Sequence, residues 1–115
     1  MTTTANDERR AQILTAATRV FAEKGFASTT MDDVATAIGY TKPVIYDHFQ
    51  GKDALYIEIV RSTADQMMEL LRDAVARESE PRKKVEAAFR VYFELVVTES
   101  DAFRVLFLQA GSAER

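Results

Sequence analysis

The stretch GYTKPVIYDHFQGKDAL, residues Gly39–Leu55, predicts a turn followed by a short helix. Gly39 is suited to closing the preceding helix, and Thr41 is suited to capping the next one. Pro43 is tolerated in a first helical turn, because the N–H that it lacks would have no partner there. Gly51 then interrupts the chain before a longer helix. Apolar and hydrogen-bonding side chains alternate in this stretch, which indicates an element that packs on one edge and presents polar groups on the other.

The sequence before this stretch follows the period of amphipathic helices. Apolar residues recur at spacings of three and four over a first helix from about Arg9 to Lys24, which Gly25 ends. Thr30 offers an N-cap hydroxyl to a second, short helix, with Asp33 three positions later in a capping-box arrangement. The predicted buried face of these two helices consists of Ile13, Ala16, Ala17, Val20, Phe21, Val34, Ala35 and Ile38.

The sequence after this stretch also predicts only helices. A long helix is expected over about Lys52 to Ala76, and the polar RESEPRKK, residues 77–84, precedes a helix whose first turn contains Pro81. Ser100 or Asp101 is expected to cap a last helix. Its segment from Phe103 to Leu108 is so apolar that it should lie against other elements. The predicted fold class is all-α.

Composition limits the possible functions. The chain has 115 residues, of which 47% are hydrophobic and 29% charged, as in a soluble globular protein of one domain or of one domain and part of another. Cysteine is absent, a single histidine is present, and no Gly-rich phosphate loop or metal-ligand cluster stands out. We therefore expect no catalysis, no cofactor and no metal. No apolar run is long enough to cross a bilayer, so we expect a cytoplasmic location without membrane contact.

Two short helices joined by a tight turn, with a third helix ahead of them, match the helix-turn-helix pattern of DNA-binding proteins. The second short helix, residues 42–49, would lie in the major groove of double-stranded DNA. Thr41 and Lys42 can address base edges or phosphates, and Pro43 can contact a thymine methyl. Tyr46 and His48 can each donate a hydrogen bond to phosphate. The starts of the neighbouring helices add Thr30 and Lys52 as phosphate contacts.

Charge predicts that one copy binds DNA weakly. The net charge of the chain is −3, and the segment up to Lys52 carries six basic and six acidic residues. Few counterions would be displaced by such a surface, so the salt dependence of binding should be shallow. Two copies on a palindrome would compensate for the weak binding of one.

The segment ILTAATRVFAEKGFASTTMDDVATAIGYTKPVIYDHFQGKDAL, residues 13–55, closely resembles the DNA-binding region of the tetracycline-repressor (TetR) family of transcriptional regulators. The resemblance implies a homodimeric, all-helical regulator, in which a small-molecule effector binds the C-terminal domain, moves the fourth helix and releases a palindromic operator. It divides the chain into a disordered arm (1–8), a helix-turn-helix domain (9–54, motif about 31–50) and a partial regulatory domain (55–115).

The sequence departs from the family pattern at several points. Pro43 often has a glycine counterpart, which suggests a different base preference. At the position of Asp47, relatives often have an aromatic or basic residue. At the position of Gly51, a Ser or Thr that caps the next helix is common. Family members also usually run to nearly twice this length, with dimerisation helices at their ends.

Other interpretations remain open for the regulatory half. Apolar residues at helical spacing are in the first place expected to be core residues. If the chain resembles the family in this respect as well, some of them would also line a ligand cavity. The candidates are Met67, Phe89, Phe93, Phe103 and Phe107. The alternative function is a truncated protein-interaction module that keeps the fold without independent operator binding, with Phe103–Leu108 as the surface that needs a partner.

Overall fold

The computed structural model describes residues 4–109, which form six α-helices and a terminal π-helical segment. No strand occurs within these residues, so the all-α prediction is confirmed. The elements are α1 (Ala5–Lys24), α2 (Met31–Ile38), α3 (Lys42–Tyr46), α4 (Lys52–Ala76), α5 (Pro81–Thr98), α6 (Ser100–Arg104) and the π segment (Val105–Gln109). None of the described helices combines the length and apolar character needed to span a bilayer.

The first helix begins earlier than the apolar period predicts. Thr4 Oγ1 accepts from the Asp7 N–H at 3.1 Å, and the Asp7 carboxylate accepts from the Thr4 N–H at 3.4 Å. This capping box starts α1 at Ala5. The expected disordered arm of residues 1–8 is therefore wrong for residues 5–8, which are helical, while residues 1–3 lie outside the described part of the chain.

The core lies where α1 meets the two short helices and the start of α4. Fully buried side chains from each of these elements meet there, and Val105 of the π segment joins them. Burying one such side chain contributes about 1.5–3 kcal/mol. The buried members are Ile13, Ala17, Phe21, Met31, Val34, Ala35, Ile45, Phe49, Leu55, Ile59 and Val105.

The loop between α1 and α2 is folded tightly against this core. Gly25 ends α1 with φ +87°, a conformation that favours glycine. Thr29 is buried and its hydroxyl donates to the Gly25 carbonyl at 2.7 Å. The Phe26 ring packs against Phe21 and Tyr56, with ring centroids 5.4 and 5.3 Å apart. The carbonyl groups of this loop are consequently held in fixed positions.

The C-terminal half, from α4 onward, is a helical hairpin followed by a return to α1. Helix α4 packs along α5, and α6 with the π segment returns to contact α1. Of the apolar segment expected to be covered, Phe103 and Val105 are buried, whereas Phe107 is 61% exposed. The side chain of Leu108 lies outside the described part of the structure. The return places α6 and the π segment directly against the N-terminal half, at α1.

Candidate nucleic-acid interface

A helix-turn-helix is formed by α2, its tight turn and α3. Gly39 adopts the left-handed conformation (φ +81°, ψ 21°) that ends α2. The N–H groups of Gly39 and Tyr40 both donate to the Ala35 carbonyl, at 2.9 and 3.0 Å. Thr41 then continues in an extended conformation into α3. The turn therefore fixes the direction in which α3 leaves the motif.

Helix α3 has one buried and one exposed edge, as its sequence predicts. Ile45 is fully buried and Phe49 nearly so. The opposite edge presents four of the predicted DNA-contacting residues to solvent: Thr41, Lys42, Pro43 and Tyr46. Tyr46 is 48% exposed, far more than a core aromatic. Thr41 occupies the N-cap position, but its hydroxyl makes no capping hydrogen bond.

The recognition segment is shorter than the expected residues 42–49. Helix α3 ends at Tyr46, and the N–H groups of His48 and Phe49 both donate to the Ile45 carbonyl at 3.0 Å. This shared acceptor tightens the chain into a turn and lets Phe49 point into the core. His48 thus lies after the helix, half-buried, rather than on its outer edge.

Charged residues of α2 and α3 are close to one another. Lys42 Nζ lies 3.4 Å from the Asp32 carboxylate, and both side chains are largely exposed. Lys24 Nζ lies 2.9 Å from the Asp33 carboxylate. The hydrogen bond from Lys24, followed by the one from the Thr30 N–H, lowers the pKa of Asp33 to about 2. Each of these lysines therefore has an acidic partner in the absence of DNA.

Thr30 combines a structural contact with an exposed position. Its Oγ1 accepts from the Asp33 N–H at 3.1 Å, and the Asp33 carboxylate accepts from the Thr30 N–H at 2.9 Å. This is the capping box that the sequence predicts for α2. Because Oγ1 acts as an acceptor here, its own hydrogen is still available to a phosphate oxygen.

The Lys52 side chain is directed toward the protein's own backbone, whereas the sequence suggested a contact with DNA phosphate. Its ammonium donates to the carbonyls of Phe26, Ala27 and Thr29 at 2.8, 3.3 and 3.0 Å, and it lies 4.5 Å from the Phe26 ring centroid. An ammonium has three N–H donors, and all three are used here. The side chain that the sequence suggests for phosphate instead ties the start of α4 to the α1–α2 loop.

Two arginines of α1 lie over aromatic rings on either side of α3. The Arg9 guanidinium is 5.4 Å from the Tyr40 ring centroid, and the Arg10 guanidinium is 4.7 Å from that of Phe49. Tyr40 also donates its hydroxyl hydrogen to the Gln12 side-chain oxygen at 2.8 Å. Arg9 is exposed and lies beside Tyr40, which directly precedes Thr41 and α3.

The four aromatic residues among the ligand-lining candidates form an aromatic row together with Tyr92. Phe89 stacks on Phe93 at 6.3 Å, and Phe103 stacks on Phe107 at 5.9 Å. Tyr92 contacts both Phe93 and Phe103, at 5.6 and 6.3 Å, and so joins the two pairs. Phe89, Phe93 and Phe107 are largely exposed, and Phe93 borders a shallow depression. Met67 is half-buried on α4.

Comparisons with known proteins agree with this geometry. The family described as "Bacterial regulatory proteins, tetR family" matches residues 13–59. The transcriptional activator FasR of Mycolicibacterium smegmatis is 34% identical over 88% of this chain and 46% of its own length. The transcriptional repressor KstR2 of Rhodococcus jostii is 30% identical over 90% of this chain and 50% of its own length. The chain thus spans about half the length of these relatives.

Solved structures show the same arrangement of helices. The ketosteroid transcriptional regulator KstR2 of Mycobacterium tuberculosis superposes with a TM-score of 0.84 at 27% identity, over 90% of this chain and 53% of that one. The helix-turn-helix geometry, the matching segment and these relatives lead to one assignment. The chain belongs to the TetR family of bacterial regulatory proteins.

Proposed function

We propose that this chain is a sequence-specific DNA-binding transcriptional regulator that reads its operator with α3. The observation that carries the proposal is the division of α3 into two edges. Ile45 anchors the helix in the core, while Lys42 and Tyr46 on the other edge face solvent. A short helix anchored in this way can enter a major groove without distortion of the domain.

The exposed residues have complementary chemistry for DNA. Thr41 and Lys42 stand at the start of α3, where hydrogen-bond donors address base edges or phosphates. Pro43 offers an apolar surface for a thymine methyl. Tyr46 donates to phosphate, as does the half-buried His48 from its position after α3, and Thr30 does so with its uncommitted hydroxyl hydrogen. The structure adds Arg9 beside Tyr40, and it favours a positioning role for Lys52.

Charge pairing on the DNA face supports binding by two copies. Lys42 and Lys24 have acidic partners, so the free surface carries little net positive charge. A single copy then displaces few counterions and binds weakly. A homodimer on a palindromic operator, with half-sites about 34–36 Å apart, would combine two such contacts. A cytoplasmic repressor whose operator binding responds to a small molecule is the form of regulator we propose.

The proposed response to an effector runs through α4. This helix carries Lys52 at its start and packs along α5 farther on. An effector that binds one orientation of α4 better than another would shift the equilibrium between the two and move α3 relative to the partner copy. The apolar residues proposed to contact it are Met67, Phe89, Phe93, Phe103 and Phe107.

Selection from a pool of random duplexes tests the proposal. The chain, immobilised through its C-terminus, should enrich an inverted repeat within a few rounds. The enriched duplex should then shift in a gel at lower protein concentrations than a scrambled duplex of the same composition. A pool that stays random, with equal shifts for both duplexes, would contradict sequence-specific regulation.

The exposed aromatic row favours a second candidate, a protein-interaction module. Phe89, Phe93 and Phe107 are each about 60% exposed and form part of one stacked group. Exposed apolar patches of this kind mark interaction surfaces. A chain that sediments as a monomer and shows no sequence preference for DNA would favour this function over the regulator.

A further inference from the structure

Helix α5 has a second apolar face in addition to the one that packs against the rest of the protein. On the packed face, Ala87 and Leu95 are buried. On another side of the helix, four apolar residues recur at every fourth position, and each is between 56% and 78% exposed. We call these residues the α5 stripe: Val85, Phe89, Phe93 and Val97.

The centre of the α5 stripe is a continuous aromatic surface. The rings of Phe89 and Phe93 stack on each other, with their centroids 6.3 Å apart. A row of large apolar side chains along one side of a helix is the surface by which helices pack on other helices. Exposed patches of this kind mark sites of protein–protein contact. The stripe therefore has the form of one half of a helix–helix interface.

Charged residues of alternating sign form a row beside the α5 stripe. Arg82, Glu86, Arg90 and Glu94 recur at every fourth position, and the last three each directly follow a stripe residue. Arg82 Nε pairs with the Glu86 carboxylate within the helix, at 3.3 Å. Arg90 and Glu94 are exposed and take part in no salt bridge within residues 4–109. One cation and one anion beside the centre of the stripe are thus available to a partner.

The charged row is complementary to itself when two copies of α5 pair antiparallel. In such a pair, related by a two-fold axis, equivalent flanks of the two helices meet. With the axis at Tyr92, Arg90 lies level with Glu94 of the second copy, and the same contact occurs a second time by symmetry. A parallel pair would instead bring the charged row against the uncharged flank, Ala88, Tyr92 and Val96, and would leave its charges unpaired. Charge complementarity therefore favours an antiparallel second copy as the occupant of the stripe.

We infer that the α5 stripe is an interface between two copies of this chain, which pair antiparallel through α5 about a two-fold axis at Tyr92. In this register Phe93 lies level with the gap between Phe89 and Phe93 of the second copy, so the side chains of the two stripes interdigitate. Two reciprocal pairs of Arg90 with Glu94 flank this aromatic centre. The association itself does not rest on the proposed function. Its use in bringing two copies of α3 to one operator does.

Analytical sedimentation of the chain without DNA tests the interface. The wild type should sediment as a dimer, and Phe93→Asp should shift it to a monomer, because the substitution buries a charge at the centre of the stripe. Ile57→Asp is the matched control, since Ile57 is as exposed as Phe93 but lies on α4, and it should remain a dimer. A wild type that stays monomeric at every soluble concentration would overturn the inference and leave the stripe to a different partner. Equal dissociation of both variants would overturn it as well.

Charge reversal tests the antiparallel orientation. Arg90→Glu makes positions 90 and 94 both acidic, and Glu94→Arg makes them both basic. Each variant alone should self-associate about tenfold more weakly than the wild type, because two facing surface pairs become repulsive. An equimolar mixture of the two variants should regain the wild-type dissociation constant, since every acid then meets a base. A mixture that associates no better than either variant alone would overturn the arrangement, and circular dichroism confirms that each variant is folded.

The two proposals fail separately. A chain that dimerises through α5 but selects no duplex supports the interface and contradicts the regulator. A chain that selects an inverted repeat, and whose association is unchanged by Phe93→Asp, contradicts the interface alone.

Discussion

Lys42 and Lys52 stand at the starts of successive helices and have opposite surroundings. The Lys42 ammonium is exposed and has one exposed partner, Asp32, at 3.4 Å. A surface pair of this kind contributes little to stability, so Lys42 can exchange Asp32 for DNA at small cost. Lys52 instead contacts three carbonyls and an aromatic ring of the α1–α2 loop. These surroundings support the proposal that Lys42 contacts DNA, and they favour a role for Lys52 in positioning α4.

Lys52→Ala should destabilise the protein. The substitution removes three hydrogen bonds from an ammonium and leaves partly buried carbonyls without that donor, which should cost about 1–3 kcal/mol. Urea unfolding followed by circular dichroism measures the loss. Lys83→Ala is the matched control, because Lys83 is an exposed lysine in the first turn of α5 with no hydrogen bond or ion pair among the described residues.

Unchanged stability of Lys52→Ala would contradict this positioning role. If the same variant also lost affinity for a selected duplex, the phosphate contact first suggested by the sequence would be the better assignment.

At the scale of the element, α2 is fixed to α1 by an ionic and capping network. Thr30, Asp33 and Lys24 form it, and the pKa of Asp33 falls from 3.8 to about 2 as a result. A carboxyl whose pKa is lower in the folded state stabilises that state above its unfolded pKa. The network should therefore act fully above about pH 4 and lose its effect as the pH falls toward 2.

The pH dependence of unfolding tests this network. For the wild type, the free energy of unfolding should fall between pH 4 and pH 2. Asp33→Asn, which cannot titrate, should show a shallower fall, and Lys24→Met should do so too because Lys24 is the largest cause of the lowered pKa. Lys83→Met serves as the control and should keep the wild-type slope. Identical slopes in all four proteins would contradict the network.

Local sequence signals predicted most element boundaries. Thr30 and Gly39 bound α2, and Pro81 begins α5, because capping and proline effects depend on adjacent residues alone. The beginning of α1 was missed, since the apolar period starts later than the capping box at Thr4. The end of α3 was missed as well. The turn after Tyr46, in which the N–H groups of His48 and Phe49 share the Ile45 carbonyl, has no local sequence signal such as a glycine or proline.

At the scale of the whole molecule, the protein is thin and open. Its principal extents are 52 × 41 × 19 Å and its radius of gyration is 16.4 Å, against about 13 Å for a compact domain of similar size. Such a shape buries the core of the DNA-binding half while leaving much of α5 in solvent. The aromatic row on α5 and the π segment is the result.

Contacts between distant parts of the chain were beyond sequence reasoning. The three carbonyls around Lys52 come from a loop more than twenty residues earlier. The space between α1, α4 and α6, which Thr15, Ser62 and Ala102 help to line, forms because α6 returns to α1. By contrast, the exposed edge of α3 could be predicted from helical spacing. When Ile45 and Phe49 pack into the core, Lys42 and Tyr46 lie on the opposite side and face solvent.

The affinity of Lys42→Ala for a selected duplex tests the central claim most directly. Fluorescence anisotropy should show this variant binding more weakly than the wild type by about 1–3 kcal/mol, with an unchanged melting temperature. Lys83→Ala should match the wild type in both measurements. A Lys42→Ala protein that binds the duplex as tightly as the wild type would contradict the claim that the outer edge of α3 reads DNA.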